Sequence, residues 1–397
     1  LPAVFTDHMV LQQKSEVPVW GWGSASATIK VVGSWAPLDT ATTVVRSDGT
    51  WDTTLKTIGA GGPYTLSVLG DGIRELKDVM LGEVWLCSGQ SNMEWTPMHG
   101  IDNSEEEVAA ANYPNIRFFH IPKRGAATPQ NNCEASWAPC TPDRMKSTSA
   151  IAYFFGRDLQ KDLNVPVGLI VSAWGGTPAE VWVPEEQVMN NPRILDVMPD
   201  KTYPWWPVEP GVLYNQMISP VVPYALAGAI WYQGESNRDH PDSYGILLKT
   251  MVESWRKSFK KDFPFYLVQI APFTYNAGDN GAALVREHQE WVARTVPGAG
   301  MVAVSDCVAD VKNIHPTDKQ SVGQRLANMA LGKIYGRLDS GYESPLFESM
   351  TIDKNKAVIS FLHAGNGLMC KDKEITGFMI AGEDGVFVPA KVRIKDN

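Results

Sequence analysis

A serine works as a nucleophile only where a base takes its proton and hydrogen-bond donors await the developing oxyanion. Ser91 is the candidate here. It sits in "GQSNM", residues 89–93, one residue after the apolar run "EVWLC". Gly89 permits backbone geometry that other residues resist. The G-x-S-x-G elbow of lipases is not present, because Met93 occupies the place of its second glycine. Taken alone, the stretch is compatible with either a structural turn or a catalytic loop.

Of the seven histidines, His315 is the candidate base. "DCVADVKNIHPTDKQ" follows a strand-like run ending at Asp306, and Pro316 stiffens the backbone beside the imidazole. His8, His99, His120, His240, His288 and His363 lack such a loop setting, and His288 falls inside a helical pattern. Asp310 and Asp306 are the carboxylates near His315 in sequence.

These residues need a scaffold that brings them to one edge, and the hydrophobic pattern supplies one. From about residue 80, apolar runs ending in Gly or Ser alternate with segments of helical period. "EVWLCSG", "VPVGLIVSAWGG", "ALAGAIWYQGESN", "FPFYLVQIAPF" and "GMVAVSD" read as strands. "STSAIAYFFGRDLQKDL", "YGILLKTMVESWRKSF", "LVREHQEWVARTV" and "KQSVGQRLANMALGKIYG" read as helices. "SEEEVAAANY" reads as a further helix, with Ser104 and Glu107 spaced as a capping box. Near-continuous apolar strands separated by helices indicate a parallel sheet covered on both faces. Ligands of such sheets bind beyond the carboxyl ends of the strands. Ser91, Gly175–Gly176, Gln233–Asn237 and Asp306 collect at those ends.

The flanking regions are β-rich. Residues 1–80 contain short alternating runs such as "EVPVWGWG" and "ATIKVVGSW", and "SDGTW" is a hairpin signal. They are expected to form a small sandwich. Residues 81–338 are the α/β domain, and residues 339–397 return to β, with "KAVISFLHAG" and "GVFVPAKVRI". The chain stops at Asn397 just after a strand-like run, so a longer natural chain is expected.

Composition narrows the function classes. A chain of 397 residues exceeds the size of one growing core, so two or three domains are expected. A net charge of −9 argues against a nucleic-acid partner, whose phosphates attract Lys and Arg. No apolar stretch approaches the roughly 20 residues that span a bilayer. The five cysteines lack zinc-site spacing. Cys133 and Cys140 bracket a short loop and are candidates for a disulfide, whereas Cys87 and Cys307 fit buried thiols. The chain begins at Leu1 without Met, and the expectation is a secreted or periplasmic protein whose signal has been removed. The 14 Trp include several in polar loops, namely Trp95, Trp174, Trp182, Trp205 and Trp206. Such aromatics stack well on sugar rings.

"GQSNM", "WGGTPAEVW", "AIWYQGESN" and "NIHPTDKQSVGQRLA" together resemble the blocks of sialate O-acetylesterases, within the SGNH-type hydrolase superfamily. "VFTDHMVLQQ" and "LYNQMISPVVPYA" fit the same resemblance, which covers nearly the whole chain. It implies a three-layer α/β/α SGNH-hydrolase-like fold and a carbohydrate esterase that needs no cofactor and no metal. It also implies that Ser91 attacks an acetyl ester and that His315 is its base. The oxyanion would meet the Ser91 N–H, an N–H of Gly175 or Gly176, and a polar group of Gln233 or Asn237. Glu235 suits a supporting role, because an ionised carboxylate is a poor oxyanion partner.

The third triad member departs from the pattern of the resemblance. The superfamily's Asp three residues before the histidine is Lys312 here, and the esterases' Asp two residues before it is Asn313. Asp310 is the expected support for His315, with Asp306, Asn313 or a backbone carbonyl as alternatives. Trp182 and Arg238 are expected to bind substrate. Arg117, Arg144 and Arg286 are further candidates for a sialate carboxylate. Acetylated xylan is the rival substrate. A noncatalytic sugar-binding protein and a thioesterase or lipase are the rival functions; the first needs neither Ser91 nor His315, and the second usually needs an extended apolar groove.

Overall fold

The computed structural model describes residues 1–195, 203–276, 278–365, 367–370 and 374–395. It divides into two compact units, Leu1–Ala327 and Asn328–Asn397. The first begins with six short strands: β1 Val10–Gln12, β2 Glu16–Trp22, β3 Thr28–Gly33, β4 Thr40–Val44, β5 Thr50–Lys56 and β6 Gly61–Leu69. Alternate residues of β2 and β3 are buried, so each strand turns one face to a small core. β3 lies between β4 and β6, while β2 pairs with β5 in a separate antiparallel ladder.

The Asp-Gly signal marks a real turn but not a hairpin. Gly49 N–H donates to the Arg46 carbonyl at 3.0 Å and Asp48 Oδ1 accepts the Thr50 N–H at 2.9 Å. The flanking strands then pair elsewhere, β4 with β3 and β5 with β2, so the turn carries the chain from one sheet to the other.

β7, Ile73–Gly89, is the spine of the first unit. Its first half runs antiparallel to β6, and its second half enters the central sheet. The expected boundary at residue 80 therefore falls inside a continuous strand. The central sheet is completed by β8 Tyr113–His120, β9 Trp137–Cys140, β10 Val167–Ala173, β11 Gly228–Tyr232, β12 Phe265–Val268 and β13 Ala299–Val302. The order is β13-β12-β11-β7-β10-β8-β9, parallel except for β9 at the edge.

Every residue of β10, β11, β12 and β13 is buried, as strands covered on both faces must be. Helix Ala150–Leu163 packs on β8 and β10, and helix Gly281–Thr295 packs on β12 and β13. Helix Pro241–Phe259 packs in turn on Gly281–Thr295. Ser149 caps the first of these, its Oγ accepting the Ala152 N–H at 3.2 Å. The expected capping box at Ser104 does not form. Asn103 holds the N-cap position of helix Ser104–Ala110, and Glu107 pairs instead with Arg157 at 2.6 Å.

The second unit carries an antiparallel hairpin, β14 Leu346–Asp353 with β15 Lys356–Leu362. Two-residue strands β16, Met379–Ile380, and β17, Val388–Pro389, also pair. All five cysteines are free thiols, so Cys133 and Cys140 are not bridged. Among the described residues, no helix is long and apolar enough to cross a membrane.

Candidate active site

The register of the central sheet gathers the loops. Gly89 ends β7 opposite Ala173 of β10 and Tyr232 of β11. Gln90 N–H donates to the Tyr232 carbonyl at 2.9 Å, and Trp174 N–H donates to the Gly89 carbonyl at 3.1 Å. The loops that begin at residues 90, 174 and 233 thus leave the sheet side by side. Gly89 sits at φ +145°, and a Cβ there would lie 2.1 Å from the Tyr232 carbonyl oxygen. Only glycine fits this crossing point.

Ser91 opens a single helical turn, Ser91–Glu94. The N–H groups of Met93 and Glu94 both donate to the Gln90 carbonyl, at 3.0 and 2.9 Å. Met93 is buried, and its carbonyl accepts the Ser149 hydroxyl at 2.6 Å. The turn is thereby fastened to the sheet at one end and to helix Ala150–Leu163 at the other.

The structure brings His315 to this turn across 224 residues of sequence, with Nε2 at 2.9 Å from Ser91 Oγ. The ring of Trp95 stacks on the imidazole, centroids 4.0 Å apart and planes at 19°. Asn313 Oδ1 accepts the His315 backbone N–H at 3.0 Å. Burial pushes the His315 pKa down to about 4, and the nearby Lys319 and His99 charges push the same way. At neutral pH the imidazole is therefore uncharged and can accept a proton from Ser91.

The expected carboxylate support is elsewhere. Asp310 Oδ1 accepts the N–H of Lys312 at 2.9 Å, and its carbonyl accepts the Asn313 N–H at 3.0 Å. This tight turn directs the Asp310 carboxylate along its own backbone. Asp306 forms two hydrogen bonds with Arg325, at 2.7 and 2.6 Å. Asn313 holds the histidine's backbone rather than its ring. Among the described residues, the imidazole has one hydrogen bond, to Ser91, and neither a carboxylate nor a backbone carbonyl reaches its other nitrogen.

The candidate oxyanion donors divide similarly. Gly175 lies against Ser91, where an added Cβ would come within 3.1 Å of the serine Cβ. Its N–H is already given to Glu94 Oε2 at 2.6 Å, while Glu94 Oε1 accepts Lys123 Nζ, also at 2.6 Å. The N–H groups of Ser91 and Gly176 have no partner among the described residues. Gly176 is at φ +80°, and a Cβ there would overlap the Trp206 ring at 2.6 Å.

Gln233 and Asn237 give their amide hydrogens to partners other than the Ser91 turn. Gln233 Nε2 donates to Asn237 Oδ1 at 2.7 Å and to the Thr177 carbonyl at 3.2 Å. Asn237 Nδ2 donates to both oxygens of the buried Glu180, at 3.1 and 2.9 Å. Burial raises the Glu180 pKa. These side chains knit the loops after β10 and β11 together, which corrects their expected place in an oxyanion hole. Trp182 is likewise core: it is fully buried, edge-on to Trp231, with its indole N–H on Thr177 Oγ1 at 3.0 Å. Arg238 pairs with Asp279 and with Asp239, and lies over the Tyr275 ring. Arg117 is buried against Asp78. Trp205 and Tyr203 are both exposed and lie against Trp206, the ring beside Gly176.

Two residues beside the pair drew no attention in the sequence. Asn92 donates to Glu235 Oε1 at 2.7 Å and to the Ile314 carbonyl at 3.0 Å, and Lys319 Nζ donates to Asn92 Oδ1 at 2.6 Å. Their only signal was adjacency, Asn92 following Ser91 and Lys319 standing four residues after His315. Among the described residues, no three His, Cys, Asp or Glu side chains are arranged to hold a metal ion.

A parallel sheet with polar loops at its carboxyl edge, where a serine and a histidine meet, is an α/β fold of the SGNH-hydrolase-like kind. The chain belongs to the family described as "carbohydrate esterase, sialic acid-specific acetylesterase", which matches residues 81–332. It is 31% identical to a Homo sapiens sialate O-acetylesterase over 397 residues, covering 90% of this chain and 75% of that protein. The Rattus norvegicus sialate O-acetylesterase is also 31% identical, over 403 residues, 86% of this chain and 74% of that one. A carbohydrate acetylesterase of known structure from Xanthomonas citri superposes with a TM-score of 0.86 at 34% identity, covering all of this chain and 89% of the other. The chain is thus a carbohydrate esterase.

Proposed function

We propose that this chain hydrolyses O-acetyl esters of sugars, those of sialic acid foremost, through an acetyl-Ser91 intermediate. The observation that carries the mechanism is the 2.9 Å contact between Ser91 Oγ and a neutral His315 Nε2. His315 takes the hydroxyl proton as Ser91 Oγ bonds to the acetyl carbonyl carbon. The oxyanion meets the Ser91 and Gly176 N–H groups, neither of which has a partner among the described residues. Collapse breaks the carbon–oxygen bond to the sugar, whose oxygen leaves with the proton from His315. Water then attacks the acetyl carbon and gives its proton to His315, and that proton returns to Ser91 Oγ as acetate departs.

Sialic acid is favoured by the family and by the names of the relatives. Acetylated neutral polysaccharide is the second reading, and it draws on two features. Arg238, the expected partner of a sialate carboxylate, is held by Asp279 and Asp239, and Trp205 offers an exposed face for a pyranose. A secreted or periplasmic location belongs to the same proposal, since polymer-borne acetyl groups are reached outside the cell; fractionation of expressing cells tests it.

Acetate release from 4-nitrophenyl acetate, O-acetylated sialic acid and acetylated xylan ranks the substrates. Ser91→Ala is expected to lower turnover by about 10³-fold or more on all three. Turnover surviving in Ser91→Ala refutes the acyl-enzyme, and an inactive wild type on all three substrates refutes the esterase reading.

A further inference from the structure

We propose that Asn92, held between the buried Lys319 and Glu235, is the positioning residue that seats His315 against Ser91. The proposal rests on the Ser91–His315 reading above. It answers a need that the geometry creates: among the described residues no carboxylate orients the imidazole, so its placement comes from its backbone and its stacking partner.

Asn92 is fully buried and uses both amide hydrogens and its oxygen. One N–H bond goes to Glu235 Oε1, in the loop after β11. The other goes to the Ile314 carbonyl, one residue before His315. The oxygen takes the Lys319 ammonium, at the start of helix Lys319–Lys333. A single side chain next to Ser91 therefore ties the loop after β7 to the loop after β11, to the histidine's own peptide and to the following helix.

Only a primary amide meets this demand. Aspartate has no hydrogens to give Glu235 and Ile314, and an aliphatic side chain would strand a buried ammonium and a buried carboxylate. The two charged ends also fix which way the amide faces.

Lys319 reaches the histidine by a second route. Its Nζ stands 5.8 Å from the centroid of Trp95, the ring that stacks on His315. The charges facing this region are those of Lys319 and His99 toward His315, and of Glu235 and Asp318 toward Lys319. Burial pulls the Lys319 pKa down to about 7 and raises that of Glu235. In the acid range, where His315 gains its proton, Lys319 carries its own and opposes the gain.

The test uses Asn92→Ala and the double variant Lys319→Met/Glu235→Gln, which removes both charges and keeps an acceptor for the Asn92 amide. On 4-nitrophenyl acetate, Asn92→Ala is expected to lower kcat about 100-fold with KM changed by less than about threefold. In the double variant, the acid limb of kcat/KM is expected to move up by about half a pH unit or more. Folded variants with wild-type kcat and an unmoved pH profile overturn the proposal. Should Asn92→Ala fail to fold, Asn92→Asp, which keeps the acceptor for Lys319 and loses the donors to Glu235 and Ile314, decides by the same kcat and KM readout, and a wild-type kcat in that folded variant overturns the proposal. Ser91→Ala runs alongside: if it retains activity, the Ser91–His315 reading fails, and if it is inactive while the other variants behave as wild type, only the role of Asn92 fails.

Discussion

Asp310→Asn separates two accounts of how His315 is supported. In the structure, the Asp310 carboxylate is exposed and accepts the Lys312 N–H at 2.9 Å. An Asn side chain presents the same acceptor oxygen, so the turn keeps its bond. Even complete loss of one such hydrogen bond costs about 0.5–1.5 kcal/mol. Were all of that felt at the transition state, turnover would fall by about 2- to 13-fold, since about 1.4 kcal/mol is a factor of ten. Most of the loss would fall on the loop instead, so the expected change in kcat is below about threefold. A triad aspartate behaves differently, because its removal loses the correct tautomer and costs about 10⁴ in kcat. The accounts thus differ by more than three orders of magnitude. Initial rates on 4-nitrophenyl acetate at neutral pH, with Ser91→Ala as the floor, resolve a gap of that size. A folded Asp310→Asn variant that loses 100-fold or more would refute the geometry argued above, and would mean that the loop swings to place Asp310 on the imidazole during turnover.

Three further outcomes follow from burial. His315 has its pKa pushed down to about 4, chiefly by burial, so the acid limb of kcat/KM is expected near pH 4 rather than 6.5. Since the folded pKa lies below the unfolded one, the unfolded chain binds more protons between those values. This contribution to stability is present above about pH 6.5 and fades as pH falls toward 4. Urea unfolding at pH 7 and pH 5 should show a smaller difference in His315→Gln than in the wild type, and an equal difference would contradict the assignment. Trp182→Ala should cost about 3–5 kcal/mol of stability, as expected for a large core aromatic, and leave KM for sugar esters within about threefold. A large rise in KM with unchanged unfolding would return Trp182 to the substrate site.

Much of the scaffold was legible from pattern alone. Strands buried on both faces read as unbroken apolar runs, and the helices that cover them carry their own period, because both signals arise from neighbours a few residues apart. The ends of those runs located the Ser91 loop, and the rigid loop before the last helix marked His315. Other features depend on partners that sequence spacing does not encode. "SDGTW" fixes a turn, yet whether its strands pair with each other or cross between sheets depends on β2 and β3 competing for them. Gln233, Asn237 and Trp182 look the same in sequence whether they face substrate or the interior. The structure decides it, through Glu180, Thr177 and Trp231. What supports His315 is the clearest case. Sequence proximity pointed to Asp310, five residues away, whereas the contacts that hold this region run from Asn92 to Glu235 across 143 residues and from Lys319 to Asn92 across 227. The chain by itself determined which groups stand at the sheet's edge. Only the tertiary structure determined which hydrogen bonds they make, because each donor there chooses among acceptors from several loops, and that choice is made by packing.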